Sequence, residues 1–331
     1  MTTHIAVLGA GSWGTALALL LSRNGHHVML WGKDEAALAQ MEQARENARY
    51  LPGVPFSKTL HCTADLNAAL AHSPHWLVCV PSQAFEAVMQ QLQKNQHQPE
   101  SLVWATKGLD PISKQFLHTR VQFYFPNLVA YGVLSGPSFA KEVARDCPTA
   151  VVLASESDVV LSRWPDWLKA PAFRVYSSHD VIGVELGGVL KNILAVAAGI
   201  SDGLGLGANA RAALLTRGMA EMMRFGTALG AQSSTLMGLS GLGDLLLTAM
   251  DDQSRNRRFG LLLAKNYGVD AALAEIGQVV ECVHNVAEVM SLAAAHGIVL
   301  PITEQVYKVL HQGLSPRDAV TPLLARDQKV E

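Results

Sequence analysis

The chain begins with a short apolar run, Ile5 to Leu8, then glycine-rich residues, then a helical stretch from Thr15 to Asn24. Gly25 stands where a left-handed C′ residue closes a helix, and a second apolar run, His27 to Trp31, follows it. Short runs rich in β-branched and aromatic residues then alternate with helical patterns up to about Ser178: Trp76 to Val80, Leu102 to Ala105, Val129 to Leu134, Ala150 to Ala154 and Phe173 to Tyr176. That alternation predicts a parallel sheet whose strands are joined by crossover helices. Past Asp180 the strand-like alternation stops, and Ala, Leu, Met and Gly recur at helical spacing to the end. The pattern therefore predicts an α/β fold with a doubly wound domain over residues 1–178 and an all-helical domain over 179–331.

The junction of the first strand and helix carries chemistry. Gly9-Ala10-Gly11-Ser12-Trp13-Gly14 is a G-x-G-x-x-G set between a strand and a helix, the context of a Rossmann-like dinucleotide site. Gly9 makes the tight turn, Gly11 lets backbone amides approach a pyrophosphate, and Gly14 lets helix and strand pack closely. The phosphate then rests on a positive helix end. Asp34 lies about twenty residues past the last of these glycines, where an acidic residue can bond a ribose 2′-hydroxyl. Lys33 beside it can pair with a 2′-phosphate or stand as a solvated turn residue. The sequence thus permits NAD(H) and leans towards NADP(H).

Composition narrows the function classes. A chain of 331 residues exceeds what one core usually organises, and 49% hydrophobic content excludes disorder. A net charge of −2 gives no global attraction to nucleic acid or an anionic membrane, so an anion site must be built locally. Cys62, Cys79, Cys147 and Cys282 stand far apart with no CxxC, and the twelve histidines form no HExxH pattern. No metal site is expected, and the cysteines suit a reducing cytoplasm. The N-terminus has no basic n-region, and apolar stretches such as Ile193 to Ile200 fall short of a membrane span, so a soluble protein is expected.

Ligands of open α/β sheets bind at the carboxyl edge of the strands. Lys107 follows the strand at Leu102 and points to that edge, as do Val80-Pro81-Ser82 and Ser135-Gly136-Pro137-Ser138. In the helical region, Val181 to Ser201 places Glu185, Lys191 and Asn192 in an otherwise apolar helix. Burial lowers a lysine's pKa into the range useful for proton transfer, which makes Lys191 a candidate acid; the bland reading is a lysine whose stem snorkels along the helix. Two clusters follow, Gly238 to Asp244 and Asp251 to Gly260. In the second, Ser254 is a good N-cap, and Arg255 and Asn256 with the free amides of a helix start can hold a phosphate. Arg257 and Arg258 would alternatively make that run a solvated cationic face.

These residues resemble the bacterial-type NAD(P)-dependent sn-glycerol-3-phosphate dehydrogenases. Seven segments match in order over nearly the whole chain: residues 9–16, 104–109, 135–142, 190–192, 241–245, 254–260 and 277–281. The resemblance implies interconversion of dihydroxyacetone phosphate and glycerol 3-phosphate, with Lys191 as proton donor and acceptor and Lys107 touching substrate and cofactor. It implies that Asp244 positions Lys191 or a substrate hydroxyl. By the same mapping Asn192, Ser254, Arg255 and Asn256 hold the substrate, and Gly136 and Ser138 complete the pocket. Ser12, Trp13, Lys33, Ala140, Val279 and Glu281 fall on NADPH-binding positions, and Arg255 also reaches the cofactor. The resemblance also implies a role in supplying glycerol 3-phosphate for phospholipids in the cytoplasm, while the apolar helical domain itself suits a homodimer. Cys282 departs from the pattern, which has glycine there, and His284 stands near a position often basic. A ketopantoate or β-hydroxyacid dehydrogenase would share the domain plan but leave Ser254 to Phe259 unexplained. A non-catalytic NADPH sensor would have no use for Lys191, Lys107 and Asp244 together.

Overall fold

The computed structural model describes residues 2–325, which fall into two compact units: residues 2–110 with Gln115–Glu185, and Pro111–Lys114 with residues 186–325. In the first unit the chain runs β1 (His4–Leu8), α1 (Ser12–Arg23), β2 (His27–Trp31), α2 (Glu35–Ala44), β3 (Leu60–Thr63), α3 (Leu66–His72) and β4 (His75–Val78). It continues through α4 (Ser82–Gln93), β5 (Ser101–Trp104), α5 (Leu117–Tyr124), β6 (Tyr131–Ser135), α6 (Ala140–Ala144), β7 (Thr149–Ala154), α7 (Asp158–Leu168) and β8 (Phe173–Ser178). The eight strands form one sheet in the order β3-β2-β1-β4-β5-β6-β7-β8, the doubly wound order that reverses between β1 and β4. β4 and β5 are buried at every position and β1 at four of five, which is why they read as continuous apolar runs rather than alternating ones.

Three details differ from the pattern. The sheet is not wholly parallel: β6 and β7 pair antiparallel, with Val133 opposite Ala154. The link between them holds only the five-residue α6, too short to carry the chain back along the sheet, so β7 returns from the edge at which β6 ends. β3 shows no strong sequence signal because it is a four-residue edge strand with only Leu60 fully buried. Val129 lies outside β6 and is 78% exposed.

α1 is buried along most of its length, from Gly14 to Ser22, and accordingly has an almost unbroken apolar sequence. Its end is fixed by Gly25 at φ +87°, with the Gly25 amide donating to Ser22 O and the His26 amide to Leu21 O, the paired bonds of a Schellman motif.

The second unit continues α8 (Val181–Gly203), whose first residues belong to the first unit, and adds α9 (Gly207–Ala228), α10 (Ser233–Leu236), a π-helical turn at Leu239–Gly243, and α11 (Asp244–Met250). α12 (Arg255–Ala264), α13 (Val269–Ile276), α14 (Cys282–Ala295), α15 (Pro301–His311) and α16 (Pro316–Leu324) complete it, with no strand among its described residues. α8 is longer than the run Ile193 to Ile200 indicates: by length and apolarity it could cross a bilayer, yet 89% of that window is buried inside the protein. It is the unit's core helix. α12 lies directly on it, because Gly199 and Gly260 leave room for backbone contact: a methyl on Gly199 would stand 2.1 Å from Arg257 O, and one on Gly260 2.2 Å from Val196 O.

Candidate active site

In the first unit the fingerprint glycines divide their work by position. Gly9 adopts φ +124°, and a Cβ there would lie 2.6 Å from Cys79 O; a Cβ on Gly14 would lie 1.9 Å from Gly9 O. Gly11, by contrast, has nothing within 4 Å of a Cβ position. The turn and the packing thus use Gly9 and Gly14, while Gly11 opens onto free space at the N-terminus of α1. Gly11 is the N-cap and supplies no side chain, so the first-turn amides of Ser12, Trp13 and Gly14 have no intrahelical acceptor. Trp13 Nε1 is buried with no partner among the described residues. An open, uncapped helix start fits a dinucleotide pyrophosphate. Asn47, which the pattern reading does not single out, braces this loop: its Nδ2 donates to Thr15 Oγ1 at 2.9 Å and to Ala10 O at 3.2 Å.

Lys33 is exposed at the end of β2. Asp34 is the N-cap of α2, its Oδ1 accepting from the Ala37 amide at 3.0 Å, so one carboxylate oxygen has a structural task. At the carboxyl ends of the neighbouring strands β5 and β6, Lys107 Nζ donates to Gly136 O at 3.3 Å and Ser138 Oγ donates to the same carbonyl at 3.0 Å. Lys107 and Ser138, from two separate segments of the sequence, therefore converge on the Gly136 carbonyl. Ala140 begins α6 and is half-buried.

The second unit gathers its polar residues within the helices. Lys191 is 8% exposed and does not snorkel: Nζ donates to Asp244 Oδ1 at 2.6 Å and to Thr248 Oγ1 at 3.1 Å. Asp244 is itself 1% exposed, so the ammonium and its counter-charge are buried together. Thr248, whose hydroxyl also donates to Asp244 Oδ1 at 3.3 Å, is a member the sequence reading missed. The signal was there in the i, i+4 spacing of Asp244 and Thr248 on one face of α11.

Ser254 caps α12 by accepting from the Arg257 amide at 3.2 Å, as the pattern predicts. Arg255 is half-buried, Asn256 is buried, and Asn256 Nδ2 donates to Asn192 Oδ1 at 2.9 Å. Arg257 is not part of a solvated cationic face: it is buried, bonded to Asp252 Oδ1 at 3.0 Å through Nε and to Asp202 through its terminal nitrogen, whereas Arg258 is exposed. Glu281 precedes α14 and accepts from Asn192 Nδ2 at 2.8 Å. Val279 is 43% exposed. Cys282 sits at the first position of α14 with no positive φ, so the loop has no need of the glycine expected there. Burial pushes its thiol pKa up, which leaves it inert. No group of three or more metal-ligating side chains occurs among the described residues.

Two family profiles match in tandem: the NAD-dependent glycerol-3-phosphate dehydrogenase N-terminus over residues 4–160 and its C-terminus over 180–321. The chain belongs to this family. Among its relatives, a glycerol-3-phosphate dehydrogenase [NAD(P)+] from Thioalkalivibrio sulfidiphilus is 56% identical over 99% of this chain and 98% of its own. One of the same name from Colwellia psychrerythraea is 50% identical over 100% of this chain and 99% of its own. The crystal structure of glycerol-3-phosphate dehydrogenase from Coxiella burnetii superposes with a TM-score of 0.95 at 46% identity, covering 98% of this chain and 99% of that one.

Proposed function

We propose that this protein reduces dihydroxyacetone phosphate reversibly to sn-glycerol 3-phosphate with NAD(P)H, and that residues 179–331 form its substrate and catalytic domain. The observation that carries the reading is the buried Lys191–Asp244–Thr248 cluster in a chain whose family membership runs from end to end. When bound, the reduced nicotinamide supplies the hydride for the carbonyl carbon. Lys191 gives the carbonyl oxygen its proton, and in the reverse direction takes it back from the hydroxyl. Asp244 and Thr248 fix where the ammonium points, so the donor needs no reorganisation during the reaction. Lys107 contacts substrate and cofactor and stabilises negative charge on the same oxygen.

Asn192, Ser254, Arg255 and Asn256 are substrate-binding residues, and Arg255 and Asn256, with their own backbone amides at the start of α12, hold the substrate phosphate. Gly136 and Ser138 belong to the substrate-binding set. Gly9, Gly11, Ser12, Trp13, Gly14, Lys33, Ala140, Arg255, Val279 and Glu281 are the cofactor-binding residues, and the cation of Lys33 at the end of β2 favours NADP(H) over NAD(H). The protein acts in the cytoplasm, in keeping with four free cysteines, as a homodimer whose product feeds glycerophospholipid synthesis.

The test is loss of reduced-nicotinamide absorbance with dihydroxyacetone phosphate and either NADPH or NADH, run beside ketopantoate and hydroxypyruvate. Oxidation with dihydroxyacetone phosphate alone is expected, faster with NADPH. Turnover of a decoy would move the substrate assignment, and NADPH binding without turnover of any substrate would leave a cofactor sensor.

A further inference from the structure

Asn192 and Asn256 belong to a hydrogen-bonded relay whose direction is fixed at both ends. At one end Asn192 Nδ2 donates to Glu281 Oε2 at 2.8 Å; in the middle Asn256 Nδ2 donates to Asn192 Oδ1 at 2.9 Å; at the other end the backbone amide of Cys282 donates to Asn256 Oδ1 at 3.3 Å. A carboxylate only accepts and a backbone amide only donates. Turning either side-chain amide over would set acceptor against acceptor or donor against donor, so the termini of the relay dictate how both asparagines face. Asn192 is 2% exposed and spends its second N–H on Gly188 O at 3.4 Å, whereas one N–H of Asn256 has no bond in this relay. The relay starts and ends on the consecutive residues Glu281 and Cys282, which open α14.

We propose that Glu281 is a positioning residue for substrate binding: through Asn192 it turns the Asn256 amide so that an N–H is presented to the substrate phosphate. The inference rests on the reading of Asn256 as a phosphate ligand. It gives Glu281 a task besides contact with the cofactor. Because one carboxylate serves both, the segment 279–281 that meets the cofactor also sets the substrate's affinity. Remove the carboxylate and the relay loses its stronger fixed end, leaving Asn192 on the 3.4 Å bond to Gly188 O and Asn256 held only by the 3.3 Å bond from the Cys282 amide, so the donor direction at Asn256 is weakened. A residue that only contacted the cofactor would have no such effect.

The experiment is the steady-state kinetics of dihydroxyacetone phosphate reduction at saturating NADPH, for Glu281→Ala, Asn256→Ala, the double variant and Glu281→Gln. Glu281→Ala is expected to raise the KM for dihydroxyacetone phosphate by about tenfold or more, the size of a lost buried hydrogen bond. Glu281→Gln, whose amide oxygen can accept the same bond, is expected to bring that KM back towards wild type, whatever it does to the KM for NADPH. The double variant is expected to be no worse in this KM than Asn256→Ala, because the two residues act through one contact. A Glu281→Ala enzyme with only its NADPH KM altered would overturn the proposal, as would effects of the two single variants that multiply. If Glu281→Ala fails to fold, Glu281→Asp draws the acceptor back by one methylene and is expected to raise the same KM with Gln as the rescue. Failure of the underlying reading has its own signature: Asn256→Ala would leave the dihydroxyacetone phosphate KM unchanged, irrespective of Glu281.

Discussion

The proposed nucleotide site of the first unit is built from backbone and the proposed catalytic cluster of the second from side chains. Gly9, Gly11 and Gly14 do their work by what they lack: one makes a turn at φ +124°, one leaves open space, and one lets α1 sit on the Gly9 carbonyl. Lys191, Asp244, Thr248, Asn192, Asn256 and Glu281 work by what they carry, and they come from α8, α11, α12 and the residue before α14. A backbone site tolerates change in the side chains around it but fails on one added methyl. A side-chain site fails one hydrogen bond at a time. The two units should therefore break in different ways.

The largest expected effect is in the second unit. Lys191→Ala removes the proposed proton donor and should lower the turnover of dihydroxyacetone phosphate by about a thousandfold, within the usual range for a general acid. NADPH binding, followed by nucleotide fluorescence, should persist. Turnover near wild type would remove Lys191 from the mechanism.

Next comes a pair of neighbouring arginines with opposite expected outcomes. Arg257 is buried between Asp202 and Asp252, and replacing it with Ala leaves the Asp202 carboxylate, only 12% exposed, with Arg211 as its remaining partner; the expected loss is about 2 kcal/mol in urea unfolding. Arg258 is exposed, and Arg258→Ala should stay within about 0.5 kcal/mol of wild type. Equal effects at the two positions would mean that the buried network adds nothing to the second unit.

In the first unit the matching contrast is between two glycines. Gly14→Ala puts a methyl 1.9 Å from a backbone carbonyl, and should cost about 3 kcal/mol of stability along with cofactor binding. Gly11→Ala meets no atom and sits in an ordinary extended conformation, so stability should change by less than about 1 kcal/mol. Its NADPH affinity should nonetheless fall about tenfold, because the methyl would occupy the approach to the α1 amides. A Gly11→Ala protein that binds NADPH as wild type does would break the backbone reading of this site.

This difference in construction also explains what the sequence revealed. The glycine set, the Gly25 stop and the buried strands are local, so spacing alone exposed them, and the Ser254 cap followed from one residue at one helix start. Asn47 escaped because its partner Thr15 lies 32 positions away, and Thr248 because its local i, i+4 spacing from Asp244 gains its meaning only from Lys191, 57 positions away. Arg257 resisted for a like reason: of the two aspartates that bind it, Asp252 is five positions away but Asp202 is 55 away and could not be paired with it by pattern. The antiparallel β6–β7 pair was hidden because strand composition carries no direction; only the length of the connection does.

The smallest expected effect is a difference in the pH response of the two units. His26, His72 and His75 lie in the first unit, and burial holds the pKa of each below the ordinary 6.5. A depressed histidine contributes stability in its neutral form, fully present above pH 6.5 and lost as the pH falls through its lowered pKa. His26 shows the reason directly, since its Nδ1 accepts from the Thr3 amide at 3.2 Å. His118 runs the other way: burial lowers its pKa, but the Glu185 hydrogen bond and charge outweigh burial and raise it, so its contribution is kept in acid and lost as the pH rises. Three groups stand against one. In the second unit Glu221 is buried, which raises its pKa above the ordinary 4.5 despite the hydrogen bonds it accepts from Ile302 and Thr303. Its penalty sets in as the pH rises through that raised value, so acidification relieves it. Amide hydrogen exchange at pH 5.5 and 7.5, corrected for intrinsic rates, should show protection falling on acidification in β1, α3 and β4 while the start of α15 holds or gains. Loss of protection that begins at α15 would reverse the comparison, and would mean that the hydrogen bonds to Glu221 need its charge more than burial opposes it.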